Sequence, residues 1–246
     1  MYISDKVWTR YINMLRKVDT KAAQEMRAYL ANHEWFVSNA AKQGAVDYAF
    51  ALATKYGEAA ASCACEFYDL IASDWAGNVL PAVPANTATY GEVSKAIRGS
   101  MKYTDNIDYM ASVVGRLVKM AGVDTTMYNA IRDGAQWAWI PHGDTCAFCL
   151  TLASHGWQRA SAKALKNGHA EHIHSNCDCT YCVRMSSNEY VEGYNPDKYL
   201  QMYRDADGDT SKQKINAMRR RFYDENKEQI NAQKRAAYAL RQEAEE

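Results

Sequence analysis

Gln136-Trp137-Ala138-Trp139-Ile140-Pro141-His142-Gly143-Asp144-Thr145-Cys146-Ala147-Phe148-Cys149 is where the chain stops reading as helix. From Gln136 to Ile140, polar or small residues alternate with bulky ones, which is the period of a strand, and Pro141 ends it. Residues 142–146 read as a tight turn that presents a Cys-x-x-Cys pair. Further on stands His172-Ile-His174-Ser-Asn-Cys177-Asp-Cys179-Thr-Tyr-Cys182, so five of the seven cysteines fall in this middle section. Thiolate and imidazole are the donors Zn²⁺ prefers, and four in a tetrahedron make a closed structural site. The expected donors are Cys146, Cys149, His174 and Cys177, with Cys179 close behind and His172 and Cys182 in reserve.

Short elements surround these residues. A helix is expected over 150–155, stopped by Gly156, and another from Ser161 to Asn167-Gly168. Thr180-Tyr-Cys-Val-Arg184 favours a strand. Elements this short have little core of their own and need a staple, which a metal supplies.

Upstream, the chain reads as helix. Trp8, Tyr11, Ile12, Leu15, Val18 and Ala22 recur at three- and four-residue steps, one apolar helical face. An alanine-rich helix is expected from about His33 to Trp75, with Cys63 and Cys65 as small buried apolar residues. Pro81-Ala-Val-Pro84 breaks the pattern. Thr89-Tyr-Gly-Glu92 has capping-box spacing, and helices follow over 107–120 and 124–132.

Downstream, Asn195-Pro196-Asp197 starts a helix, with Asn as N-cap and Pro in the first turn. Residues 205–209 form a turn, and Thr210-Ser-Lys-Gln213 opens a helix that nothing interrupts to Glu246. Its apolar stripe of Ile215, Met218 and Phe222 thins to Ile230, Tyr238 and Leu240, as in a solvated or partner-held helix. The fold class expected is mainly α: a helical body over 1–134, a small zinc-pinned α+β unit over 135–190, and a C-terminal helical arm over 191–246.

Bulk properties narrow the function. There are 29 basic and 29 acidic residues, so no general affinity for nucleic acid or anionic membrane is expected, leaving only local patches. The first residues lack the basic and apolar regions of a signal peptide, and no apolar run is long enough to span a bilayer. Assembly in a reducing cytoplasm is expected, where clustered cysteines bind metal more often than they form disulfides.

Rival chemistries fare worse. His169-Ala-Glu171 imitates a zinc-deaminase motif, but Cys179-Thr-Tyr-Cys182 follows too closely and lacks the preceding proline. A Cys146 or Cys149 nucleophile paired with His172 and Asp144 lacks any local protease signature. The 205–209 run is no calcium loop, because Thr210 and Asn216 stand where glycine and glutamate belong. The basic clusters Arg219-Arg220-Arg221 and Lys234-Arg235 are interleaved with acids.

Trp137-Ala-Trp139-Ile-Pro-His-Gly-Asp-Thr-Cys-Ala-Phe-Cys149-Leu-Thr-Leu-Ala-Ser-His-Gly-Trp157, followed by Gly168-His-Ala-Glu-His-Ile-His174-Ser-Asn-Cys-Asp-Cys179, resembles the minor head proteins of tailed bacteriophages, the group loosely related to the F protein of phage Mu. The tail from Gln213 to Tyr238 resembles the ends of such proteins from phages of Gram-positive bacteria. The chain departs from that pattern at Ser175, where proline is usual, and at Cys182, where a small or apolar residue is usual. The resemblance implies a non-enzymatic minor capsid protein in the virion, at the portal vertex inside the head. Its implied partners are portal and capsid proteins, in several copies, with packaged DNA as a further candidate. The runner-up is a zinc-dependent nuclease in which His172 or Glu171 is the base.

Overall fold

The computed structural model describes residues 2–76, 81–103, 106–142, 145–161 and 179–243. Among them the chain is mainly helical, with a few short strands. By compactness it divides into two units, Met1–Asp144 with Trp157–Tyr194 and Thr145–Gly156 with Asn195–Glu246, so the expected middle section contributes to both.

In the larger unit, Ser4 caps α1 (Asp5–Asn32), its hydroxyl accepting the Val7 N–H at 3.3 Å. Trp8, Tyr11, Ile12, Leu15, Ala22, Met26 and Leu30 form its buried stripe, as the periodicity predicts. The alanine-rich α2 runs Asn39–Ala76; a break after His33 delays its start relative to expectation. Buried Ala45, Ala49, Ala53, Ala60, Ala61 and Ala64 bring neighbouring backbones close. The capping box of α3 (Tyr90–Tyr103) forms as expected: Glu92 accepts the Thr89 N–H at 2.8 Å, and Thr89 Oγ1 accepts the Glu92 N–H at 3.3 Å.

Helix α4 (Ile107–Arg132) corrects the expectation of two helices. It is buried along most of its length and packs on both α1 and α2. Gly122 does not break it; a Cβ there would sit 3.2 Å from the Ala60 carbonyl oxygen, so this glycine answers to close helix approach. Gly115 does the same against the Asp19 carbonyl, also at 3.2 Å.

The proline segment before α3, residues 81–89, is neither helix nor strand and is held by side chains. Asp69 accepts the Ala82 N–H at 2.7 Å, and the Thr125 hydroxyl accepts the Ala85 N–H at 3.0 Å. Asn129 accepts from the Val83 N–H and donates to the Val83 carbonyl, both at 2.9 Å. Arg132 donates to the Pro81 carbonyl at 3.0 Å. Backbone groups that prolines withdraw from helix are satisfied in this way.

Strand β2 (Gln136–Ile140) is the centre of a three-stranded antiparallel sheet, between β3 (Gln158–Arg159) and β4 (Thr180–Arg184). Both β2 and β4 match their expected bounds; β3 is too short to leave a pattern. Trp137 faces Val183 and Trp139 faces Tyr181 across the pair, and the Tyr181 ring meets both indoles edge-on at 4.6 and 4.9 Å. These residues are buried, and β4 packs on α4 and α2. A second, unexpected pairing is parallel: β1 (Tyr2–Ile3) with β5 (Tyr190–Val191).

The smaller unit holds α5 (Ala147–Ala153), α6 (Pro196–Arg204) and α7 (Ser211–Glu243). Its core is Ala147, Leu150 and Met218, ringed by half-buried Tyr199, Met202, Tyr203, Ile215 and Phe222. Asn195 caps α6 as expected, accepting the Lys198 N–H at 3.0 Å. The Thr210–Gln213 capping box also forms, Gln213 accepting the Thr210 N–H at 2.9 Å and Thr210 Oγ1 the Gln213 N–H at 3.3 Å. Lys214 closes α6 by donating to the carbonyls of Arg204 and Ala206. The side chains of residues 223–228 on α7 are exposed. The helix expected from Ser161 to Gly168 lies outside the described residues, save Ser161 itself.

Candidate metal centre

Cys146 and Cys149 stand on one turn of chain. The helix begins earlier than the expected 150, because Cys146 is its N-cap: backbone φ and ψ are extended, and Sγ accepts the Cys149 N–H at 3.5 Å. A sulfur taking a backbone N–H in a Cys-x-x-Cys turn is polarised as a thiolate ligand requires. Cys149 is buried and Cys146 half-buried. Between and beyond them, Ala147 and Leu150 face the core of the smaller unit. The turn therefore carries ligand candidates and core residues on consecutive positions.

Cys179 immediately precedes β4 and is 1% exposed. Its Sγ lies 3.5 Å from the His142 N and 3.9 Å from the His142 carbonyl oxygen, just past the Pro141 that ends β2. This sulfur too meets a backbone N–H. His174 and Cys177, the other two expected donors, lie outside the described residues, as do His172, Glu171 and Asp144. Among the described residues, no three His, Cys, Asp or Glu side chains gather around one point. In chemistry the donors fit zinc: soft sulfur, polarised by amide hydrogens, none of it in a disulfide among the described cysteines.

The remaining cysteines behave otherwise. Cys182 is fully buried in β4 opposite Ala138, and burial pushes its thiol far above the ordinary range. It packs as a small apolar residue, and its burial disfavours the thiolate that a metal ligand needs. Cys63 and Cys65 on α2, expected to be buried, are half-buried, and desolvation raises both thiols.

A polar brace the sequence did not disclose sits below β4. Buried Glu189 accepts the Met185 N–H at 2.5 Å and the Ser186 N–H at 3.1 Å, closing the turn after the strand. Arg184 lies over the Trp157 ring at 4.6 Å and donates to Gln136 at 2.7 Å. An isolated glutamate gives no sequence signal for such a role, because the acceptors and donors meet only after the turn forms.

The family described as VG15 protein matches residues 2–206. The chain belongs to the VG15 protein family. That membership marks it as a viral protein of phage type. The match takes in the helical body, the sheet, the cysteine turn and α6, and ends at the turn before α7. Neither the curated proteins nor the solved structures searched contain a match to this VG15-family chain. Among the described residues, no helix is long and apolar enough to cross a membrane.

Proposed function

We propose that this VG15-family protein is a non-enzymatic minor capsid protein of a phage head, docked at the portal vertex and pinned by one structural Zn²⁺. The observation that carries the reading is family membership across the segment holding Cys146-Ala-Phe-Cys149. The Cys146–Cys149 turn, with its N–H to sulfur contact, supports zinc as the ion held. Cys146 and Cys149 would supply two ligands, and His174, Cys177 or Cys179 the other two. Available donors outnumber what one ion needs, which favours a closed coordination sphere over an open catalytic position. The zinc's part is to cross-link short elements; those elements and the helices do the rest. The exposed part of α7 is suited to docking on portal or capsid proteins in several copies.

The test is direct. Purified protein is expected to carry one equivalent of zinc, lost in a Cys146→Ser, Cys149→Ser variant. It is also expected to co-sediment with assembled portal rings. Zinc near zero with every thiol freely titratable would remove the metal from this reading. Metal-dependent plasmid nicking lost on His172→Ala would replace it with the nuclease.

A further inference from the structure

Helix α1 carries its cations in an ordered way. Its buried stripe faces the helical body, and the opposite face holds Lys6, Arg10, Lys17 and Lys21, all exposed. At 3.6 residues per turn, steps of four, seven and four keep these positions within an arc of about 60°, over a rise of about 22 Å. Between Lys6 and Lys21 no other residue falls on that arc; Asn13 and Met14 flank it, and Gln24 and Ala28 continue it beyond Lys21, so no acid stands on it.

The acids of α1 lie off this ridge. Glu25 turns toward α2, where it accepts the Tyr56 hydroxyl at 2.6 Å and meets Lys55 at 3.7 Å and Lys21 at 3.9 Å. Asp5 accepts the Thr9 hydroxyl at 3.5 Å on a neighbouring face, and Asp19 lies where α1 meets α4. Glu192, beside the start of α1, is taken up by the Asp5 N–H at 2.8 Å. Arg27 is spent on Asp108 at 2.7 Å. Lys6, Arg10 and Lys17 have no ion-pair partner among the described residues. In a chain of zero net charge, placing four of the six cations of α1 on one ridge, with Arg16 and Arg27 and all three acids off it, makes a local field the composition conceals.

We propose that this ridge of α1 binds the phosphate backbone of double-stranded DNA. A rigid row of cations about 22 Å long lies within reach of several phosphates of a duplex, whose charge density is about one per 1.7 Å of axis. A membrane surface fits less well, because an interfacial helix needs an apolar face and that of α1 is buried in the body. The ridge presents flexible point charges rather than base-reading amides, so binding is independent of sequence. The inference stands apart from the zinc and portal readings.

Fluorescence anisotropy with labelled duplexes of two unrelated sequences tests it, on the full-length protein. Three to four neutralised phosphates give a slope of about −3 in log affinity against log salt, a loss of roughly 40- to 150-fold between 50 and 200 mM. Replacing Lys6, Arg10, Lys17 and Lys21 together by glutamine is expected to lower affinity at least tenfold at 50 mM salt and to flatten the slope. Glutamine is a good helix former, and an unchanged circular dichroism spectrum verifies the fold. Replacing Arg219, Arg220 and Arg221 by glutamine is expected to change nothing. The proposal is overturned if the wild type ignores duplex DNA at 50 mM salt. It is equally overturned if the α1 variant binds unaltered or if the loss follows the α7 variant instead. Polyglutamate competing as well as unlabelled duplex at equal charge would also overturn it.

Discussion

Asp124 illustrates how a single residue of α4 answers to burial. Its carboxyl is pushed up from the ordinary 3.8 to about 6, first by desolvation and then by the charge of Glu92. A carboxyl raised on folding favours the neutral form. Its contribution is fully present below about pH 4 and is lost as pH rises through 6. Asp124→Asn is therefore expected to leave stability nearly unchanged near pH 4 and to raise it by up to about 3 kcal/mol at pH 7.5. Urea titrations at the two pH values check this, and a variant less stable at pH 7.5 would refute it. Nothing in the sequence marks Asp124, because its environment is assembled from helices distant in the chain. The cysteines divide by the same logic. Cys146 and Cys179 are the ligand candidates that spacing picks out, and the sulfur of each accepts a backbone N–H. Cys182, kept in reserve by the sequence, instead sits neutral and fully buried. Cys182→Ala is expected to retain any bound zinc in full, measured by metal analysis, while costing about 1 kcal/mol of packing.

Among the elements, those with a local code were legible and those made by tertiary contact were not. The capping boxes at Thr89 and Thr210, the Asn195 cap and the alternation of β2 all rest on neighbours within a few residues. The continuity of α4 through Gly122 depends on the α2 backbone, and the pairing of β1 with β5 joins residues far apart in sequence. The proline segment shows the same dependence most clearly. Its break was evident from two prolines, but its course is held by Asn129, which satisfies both backbone groups of Val83. Asn129→Leu would strand one donor and one acceptor, and is expected to cost about 2–4 kcal/mol. Denaturant unfolding measures the loss, and hydrogen exchange at the Val83 amide is expected to accelerate with it. Preserved exchange protection there would mean another group takes over. Gly122→Ala meets the same region from the other side. Its Cβ would press on the Ala60 carbonyl and on Leu15 at 3.3 Å, so a destabilisation of about 1–3 kcal/mol is expected despite alanine's better helix propensity.

The whole molecule is uneven in its core. The larger unit buries indoles, tyrosines and long apolar stripes of α1, α2 and α4, whereas among the described residues the smaller unit's core is a cluster of three, Ala147, Leu150 and Met218, with Cys149 and Ala153 buried beside it. A helix of seven residues has no stability of its own, since nucleation outweighs the few bonds it gains. Yet α5 supplies two of those three core residues, and the sulfurs of Cys146 and Cys149 bracket the first of them. Fixing the two sulfurs on an ion fixes the turn that presents Ala147 and Leu150 to Met218. Thermal or chemical unfolding is thus expected in two transitions rather than one, the weaker belonging to α5, α6 and α7. Leu150→Ala is expected to move only the weaker transition, by about 2–3 kcal/mol. Chelation of the proposed zinc is expected to do the same. Hydrogen exchange resolved by peptide distinguishes these outcomes. Faster exchange in α6 and the first turns of α7, with α2 and α4 unchanged, would tie the metal to the smaller unit's packing. Chelation that removes zinc yet leaves α6 protected would separate the ion from that packing, and uniform acceleration through both units would make the chain a single cooperative body.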